Sequence, residues 1–185
     1  MVVPVRTLVA WCPDWPVVAT GAPLDEPVAV IHANRIVASS PSAREHGVVR
    51  GLRRRVAQAR CADLQLHERD EAREARTFEP VIGTLDNITP RIEIIRPGTC
   101  AVTTLGPSRY FGGDEKVADL IREAMGTVLN GRTEVRIGIA DGSFAAELAA
   151  RAAQPTRLIP QGEVAEFLAP MRVAVLERPE LADVL

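Results

Sequence analysis

Seven arginines and one acid, Glu45, occupy residues 35–60 of this 185-residue chain: Arg35, Arg44, Arg50, Arg53, Arg54, Arg55 and Arg60. The segment carries +6 in a chain whose net charge is −2, so the remainder holds −8. A guanidinium is a planar fork of donors that matches phosphate geometry. At this density, without compensating acids, Arg44, Arg50, Arg53, Arg54 and Arg55 are candidates for contact with DNA or another phosphate. The competing reading is a solvated surface whose exposed charges add little to stability. Sequence alone leaves both open.

Other reactive side chains give weaker signals. Asp14 and Asp141 each follow an apolar run, where a turn cap and a helix N-cap are the plain readings and a cation site the sharper one. Trp11 and Trp15 could stack on a base, but core packing is the stronger expectation. Tyr110-Phe111-Gly112-Gly113 lacks the Lys-Ser/Thr that completes a phosphate loop and reads as a turn before a helix. Cys12, Cys61 and Cys100 are odd in number and far apart, which suggests small buried hydrophobes and neither disulfides nor a metal knuckle. His32, His46 and His67 show no ligand spacing, and no serine, histidine and acid are placed to nominate a triad. No cofactor or metal is expected.

The elements that must position these residues can be read from the pattern. The chain is 46% hydrophobic and 25% charged, enough to build a core in one or two units. It contains no apolar run near the roughly 20 residues that span a bilayer and no signal-peptide start, so a cytoplasmic location is the default. A strand over residues 5–11 runs into a loop where Pro13 and Pro16 forbid continuation. Two short strands over 27–32 and 35–39 meet at Ala33-Asn34 as a hairpin. Ser40 caps a short helix with Pro41 in its first turn, residues 54–60 form another, and 64–67 a strand. From Asp70 a helix places Ala72, Ala75, Phe78, Ile82 and Leu85 on one face, with Pro80 as a kink.

Two strands, 91–96 and 99–104, follow on either side of Pro97-Gly98, and Asp114 starts a helix whose apolar stripe ends at Asn130-Gly131. A strand over 133–140, a helix over 143–153, a possible strand at 158–159 and a short helix over 163–168 complete the chain. Omitting residues 14–68 leaves strand, helix, strand, strand, helix, strand, the split βαβ arrangement of ferredoxin-like α+β folds. The inserted block is also the arginine-rich one.

Four segments in this order resemble the Y-family, or translesion, DNA polymerases. Leu8 to Ala19 (LVAWCPDWPVVA) looks like the first palm strand, with Trp11 where the family has its first metal-binding Asp. Ser40 to Leu52 (SPSAREHGVVRGL) resembles the finger motif, keeping Arg44 but carrying Pro41 where a triphosphate-binding Tyr stands. Thr89 to Thr104 resembles the second palm hairpin, with Gly98 and Thr99 at its Asp-Glu pair. Arg136 to Ala149 resembles the strand and helix that bear two lysines, here replaced by Ser143 and Glu147.

The resemblance implies an α/β palm of ferredoxin-like topology over 1–13 and 69–168, a small fingers insertion over 14–68, and the beginning of a thumb over 169–185. Two-metal nucleotidyl transfer needs carboxylates around cations about 3.5–4 Å apart. Trp11, Gly98 and Thr99 supply none, and Glu147 reverses a charge where a phosphate would lie. A non-catalytic relative is therefore expected, of the polymerase-like type found in bacterial mutasomes. That likeness implies a role in SOS-induced, error-prone translesion DNA synthesis at the nucleoid. It also implies weak DNA contact here, with the sliding clamp, an error-prone C-family polymerase and a RecA-like accessory protein bound mainly through C-terminal regions beyond this chain. Two other functions stay open: a nucleotidyltransferase using relocated acids among Asp14, Glu93 and Asp141, and a simple DNA-binding module.

Overall fold

In the computed structural model, which describes residues 4–171, the chain builds two sheets. The larger has five strands in the order β5-β6-β1-β7-β8. Here β1 is Arg6–Trp11, β5 Ile92–Arg96, β6 Thr99–Thr103, β7 Arg136–Asp141 and β8 Thr156–Leu158. Strand β1 lies antiparallel between β6 and β7, with Trp11 opposite Thr99 on one side and Arg136 on the other. Strand β8 adds parallel to β7. The first four strands have the ferredoxin-like order expected from the element sequence.

Alternation along β1 explains how both faces are covered. Leu8 and Ala10 point with Cys12 toward α4 (Glu71–Gly83) and α6 (Asp114–Leu129), where they meet Phe78, Val81, Val117, Ile121 and Met125. Val9 points the other way, toward α7 (Ser143–Arg151), whose Ala145, Ala146, Ala149 and Ala150 form a small-residue face. That face permits close approach. A β-carbon on Gly138 would stand 2.7 Å from the Ala149 carbonyl carbon and closer still to the backbone of Ala146 and Ala150.

The smaller sheet has the order β3-β2-β4, with β2 Val28–His32, β3 Arg35–Ser39 and β4 Gln65–Glu68. Two short helices flank it, α2 (Pro41–Glu45) and α3 (Arg54–Arg60). Ser40 ties it together: its hydroxyl accepts from the Ala43 and Val28 amides and donates to the Glu26 carbonyl, all from a fully buried position. The hairpin turn at Ala33-Asn34 has φ of 47° and 63°. Those values suit a two-residue turn whose twist matches the strands.

Several expectations need correction. The prolines at 13 and 16 do not leave a plain loop: Asp14 turns with φ 54° and α1 (Trp15–Val18) follows, with Pro16 in its first turn. Proline is tolerated there because the first amides of a helix have no internal partner. Helix α4 continues through Pro80 to Gly83, and Leu85 reaches the core from the turn beyond it. Tyr110 and Phe111, read as part of a turn before a helix, instead end α5 (Leu105–Phe111); Gly112 and Gly113 make the turn, and α6 starts at Asp114 as expected. The last helix, α8, is Val164–Leu168. Most of the segment read as a thumb, residues 172–185, lies outside the described residues.

Candidate functional site

A cleft of about 450 Å³ opens between the C-terminal end of β1 and the smaller sheet. Trp11, Cys12, Pro97 and Thr99 form its floor on the five-stranded side, and Ser39, Arg44 and Arg50 its opposite wall. The register of β1 and β6 brings Trp11 and Thr99 directly opposite one another, with Gly98 accepting a hydrogen bond from the Cys12 amide at 2.8 Å. Three positions that are 88 residues apart in sequence at most, Trp11, Gly98 and Thr99, are thus one locus.

No carboxylate stands at that locus, and the space an acid would need is filled. Gly98 has φ 83°, in the left-handed region that side chains rarely adopt, and a β-carbon there would lie 2.6 Å from the Trp15 Cγ and closer still to its Cβ. Trp15 is itself held fast. It is 3% exposed, meets Phe78 edge-on at 4.9 Å, and its indole N–H donates to the Glu74 carbonyl at 3.0 Å. Trp11 is only half-buried, with the Arg136 guanidinium 5.6 Å from its ring centre.

The acids that do line the cleft are engaged by guanidinium groups. Asp14 pairs with Arg44 at 2.9 Å across the gap between the two sheets, and Arg44 also donates to the Ser39 carbonyl. Asp14 therefore does not act as a side-chain cap for the turn. Glu74, 3% exposed, takes Arg69 at 3.2 Å. Glu147 does not present a free negative charge, as its sequence position suggested. It accepts from Arg96 at 2.6 Å and from Arg151 at 3.0 Å, so the local balance is positive. Burial raises the Glu147 carboxyl, but hydrogen bonds and charge from Arg96 and Arg151 outweigh it and leave the group below its ordinary value.

Asp141 lies at the other end of β1, where it pairs with Arg6 at 3.1 Å and accepts from the Gly162 amide. Gly142, not Asp141, caps α7. Arg6 also reaches Asp114 at 2.9 Å and the Ile159 carbonyl, so this trio ties β1, α6 and β7 to the loop after β8. Nothing in the local sequence signals it, because the partners are 108 and 135 residues away. Glu93 is exposed, the second residue of the edge strand β5. Pro41 and Ser143 are both exposed at helix starts. Among the described residues no three His, Cys, Asp or Glu side chains gather closely enough to hold a metal ion, and no helix is long and apolar enough to cross a membrane.

The arginine-rich block divides in two. Arg44 and Arg50 face the cleft, while Arg53, Arg54 and Arg55 lie on the outer side of the insert beside Asn34 and Arg35, around a second depression of about 550 Å³.

A ferredoxin-like sheet that accepts a small mixed-sheet unit after its first strand, with the cleft between the two, is the architecture of a polymerase palm and fingers. Residues 22–151 match the impB/mucB/samB family model, and the chain belongs to that family of Y-family polymerase-like domains. Among solved structures it is similar to DinB from Sulfolobus solfataricus, with a TM-score of 0.73 and 17% identity over 97% of this chain and 56% of that one. It is also similar to Dbh DNA polymerase in an insertion ternary complex, with a TM-score of 0.72 and 16% identity over 92% of this chain and 53% of that one. At such identities the likeness is one of fold, and the chain spans about half the length of these polymerases. No curated protein matches it significantly in sequence.

Proposed function

We propose that this domain is a non-catalytic polymerase-like unit that acts in error-prone translesion DNA synthesis, in the manner of ImuB, the inactive Y-family relative of bacterial mutasomes. The observation that carries this reading is the seating of Trp15 against Gly98. Catalysis in the family fold would need carboxylates at the ends of β1 and β6, and here one position is an indole-bearing residue, another a threonine, and the third a glycine with no room for a side chain. The donor set does not fit a pair of divalent ions. Hard cations require several charge-compensating oxygens, and the nearby carboxylates of Asp14 and Glu74 are already matched by Arg44 and Arg69.

The relocated-acid alternative is poorly served by the geometry. Asp141 is opposite Arg6 at the start of β1, whereas Asp14 follows the strand's end at Trp11. A six-residue strand is on the order of 20 Å long, far more than the separation of two metals sharing a substrate. What remains for the palm in this reading is to hold a surface in position at a stalled replication site. The sliding clamp, an error-prone C-family polymerase and a RecA-like protein are its expected partners, engaged mainly through regions beyond this chain.

Primer extension with the longest natural form of the protein, in excess Mg²⁺ and then Mn²⁺ beside an active Y-family enzyme, tests the proposal. No product is expected. Template-dependent extension that Asp14→Ala or Asp141→Ala abolishes would overturn it in favour of relocated acids.

A further inference from the structure

We infer that Arg35, Arg53, Arg54 and Arg55, on the outer side of the insert and away from the cleft, form a track for a nucleic-acid backbone. This inference refines the DNA-directed role proposed above by naming a surface, and it stands whether or not the palm is catalytic.

The backbone explains why four guanidinium groups gather there. Residues 51–54 run along the open edge of β3: the Gly51 amide donates to the Ile36 carbonyl at 2.8 Å, and the Ile36 amide to the Leu52 carbonyl at 2.9 Å. Arg35 and Arg53 form an antiparallel bridge, and the Arg54 amide donates to the Asn34 carbonyl at 2.9 Å. The hairpin turn and the start of α3 are therefore stitched together. Leu52 and Ala57 anchor this strip to the small core, so the arginines are carried on fixed backbone.

The two arginine groups differ in what they already hold. Arg44 is matched by Asp14 and the Ser39 carbonyl, and cannot serve a ligand without releasing them. Arg53, Arg54 and Arg55 are exposed, and among the described residues none of them is within ion-pairing distance of an acid. Arg35 gives one N–H to the Gly51 carbonyl at 2.8 Å, which orients its fork while sparing its other donors. A cluster of guanidinium groups with no internal counter-charge repels itself, and an incoming row of phosphates relieves that repulsion. Val56 and Ala33 are the apolar members of the lining, and no aromatic ring stands among them to stack a base. Contact is therefore to phosphates and does not read sequence.

Fluorescence anisotropy of the full 185-residue protein with labelled oligothymidine, at a series of salt concentrations, tests this. The wild type is expected to bind weakly, with affinity falling steeply as salt rises. Replacing Arg53, Arg54 and Arg55 together by Ala should weaken binding at least about tenfold and reduce the log–log salt slope by roughly 2, since each phosphate contact on a single strand contributes about 0.7. Arg122→Ala, on α6 and outside both depressions, should bind as the wild type does. Because Arg53 precedes α3, Arg54→Glu with Arg55→Glu, which leaves that position intact, should lose binding with an unchanged circular dichroism spectrum and melting temperature. The inference is overturned if these variants bind like the wild type, if the wild type does not bind, if Arg122→Ala is the damaging change, or if polyglutamate competes as well as the oligonucleotide, which would mark a surface for acidic protein segments.

Discussion

Trp15 covers Gly98 so closely that any side chain at that turn would clash: the backbone there has φ 83°, and a β-carbon would meet the indole's Cγ at 2.6 Å. The contact couples two changes that look independent in the sequence. An aromatic packed at the start of α1 and a glycine at the tip of the β5-β6 hairpin are halves of one arrangement.

Gly98→Asp should therefore destabilise the protein, not restore a metal ligand. Left-handed backbone at a non-glycine residue costs about 1–3 kcal/mol, and forced overpacking a further 1–3. A loss of about 3 kcal/mol would lower Tm by roughly 6 °C or more in a domain of this size. Trp15→Ala alone should also destabilise, by opening a cavity beside Phe78. The double variant should be less damaged than the sum of the two, since the smaller residue at 15 relieves the clash at 98. Thermal denaturation of the four proteins checks this, and strict additivity would mean the two residues are not coupled.

Much of this arrangement was open to reading beforehand, and the part that was not has a physical cause. Strand β1, the hairpin at Ala33-Asn34 and the stripe of α6 announce themselves because apolar periodicity and turn chemistry are local. That Trp11, Gly98 and Thr99 carry no carboxylate is equally visible. The pairing of Glu147 is not legible locally, because its partners are Arg96 and Arg151, one of them 51 residues away and on another element. The same holds for Asp14, whose carboxylate goes to Arg44 and not to its own turn. Ion pairs between distant segments leave no periodic trace. Helix α1 was hidden for a different reason: its prolines break a continuing strand but suit a helix's first turn.

Gly138→Ala is expected to be damaging although alanine is mild in most strands. Position 138 is where α7 rests backbone-to-backbone on β7, and the added methyl would enter the helix between Ala146 and Ala150. The helix would have to lift along its length, costing about 3 kcal/mol, the upper end of overpacking effects. Urea denaturation measures this directly, and a change below about 0.5 kcal/mol would show that α7 can shift freely.

The thiols should be silent in the native state. Cys12 and Cys100 are fully buried. Burial pushes the Cys100 thiol up to about 12, and burial together with Cys100 nearby raises Cys12 as well. Only the thiolate reacts, so both should resist an aromatic disulfide reagent at pH 8 until the protein is unfolded, when all three cysteines should titrate. Rapid labelling of Cys12 or Cys100 in the native protein would show that the helical layer of α4 and α6 opens readily.

Stability should fall in acid, and two carboxyls should account for much of the slope. Asp114 is affected first by burial, which raises it, but hydrogen bonds from Ser108 and Arg6, the Arg6 charge and a contact with Thr104 prevail and hold it below its ordinary 3.8. Glu147 is likewise held below 4.5. A carboxyl whose folded value is depressed stabilises fully above its unfolded value, and that contribution disappears as pH falls through the folded one. The loss should therefore begin near pH 4.5 and continue downward, with no contribution from these groups between pH 6 and 8. Asp114→Asn should lower stability at pH 7 by about 2 kcal/mol, the scale of a hydrogen bond to a charged group, because Arg6 is then left with Asp141 alone among its acids. Glu147→Gln should cost less, since its Arg96 partner is 43% exposed and screened by solvent. Both variants should show a shallower acid limb than the wild type when unfolding free energy is followed from pH 7 to pH 3. Parallel curves would instead place the acid sensitivity at other carboxyls and remove the Arg6–Asp114 pair as a determinant of stability.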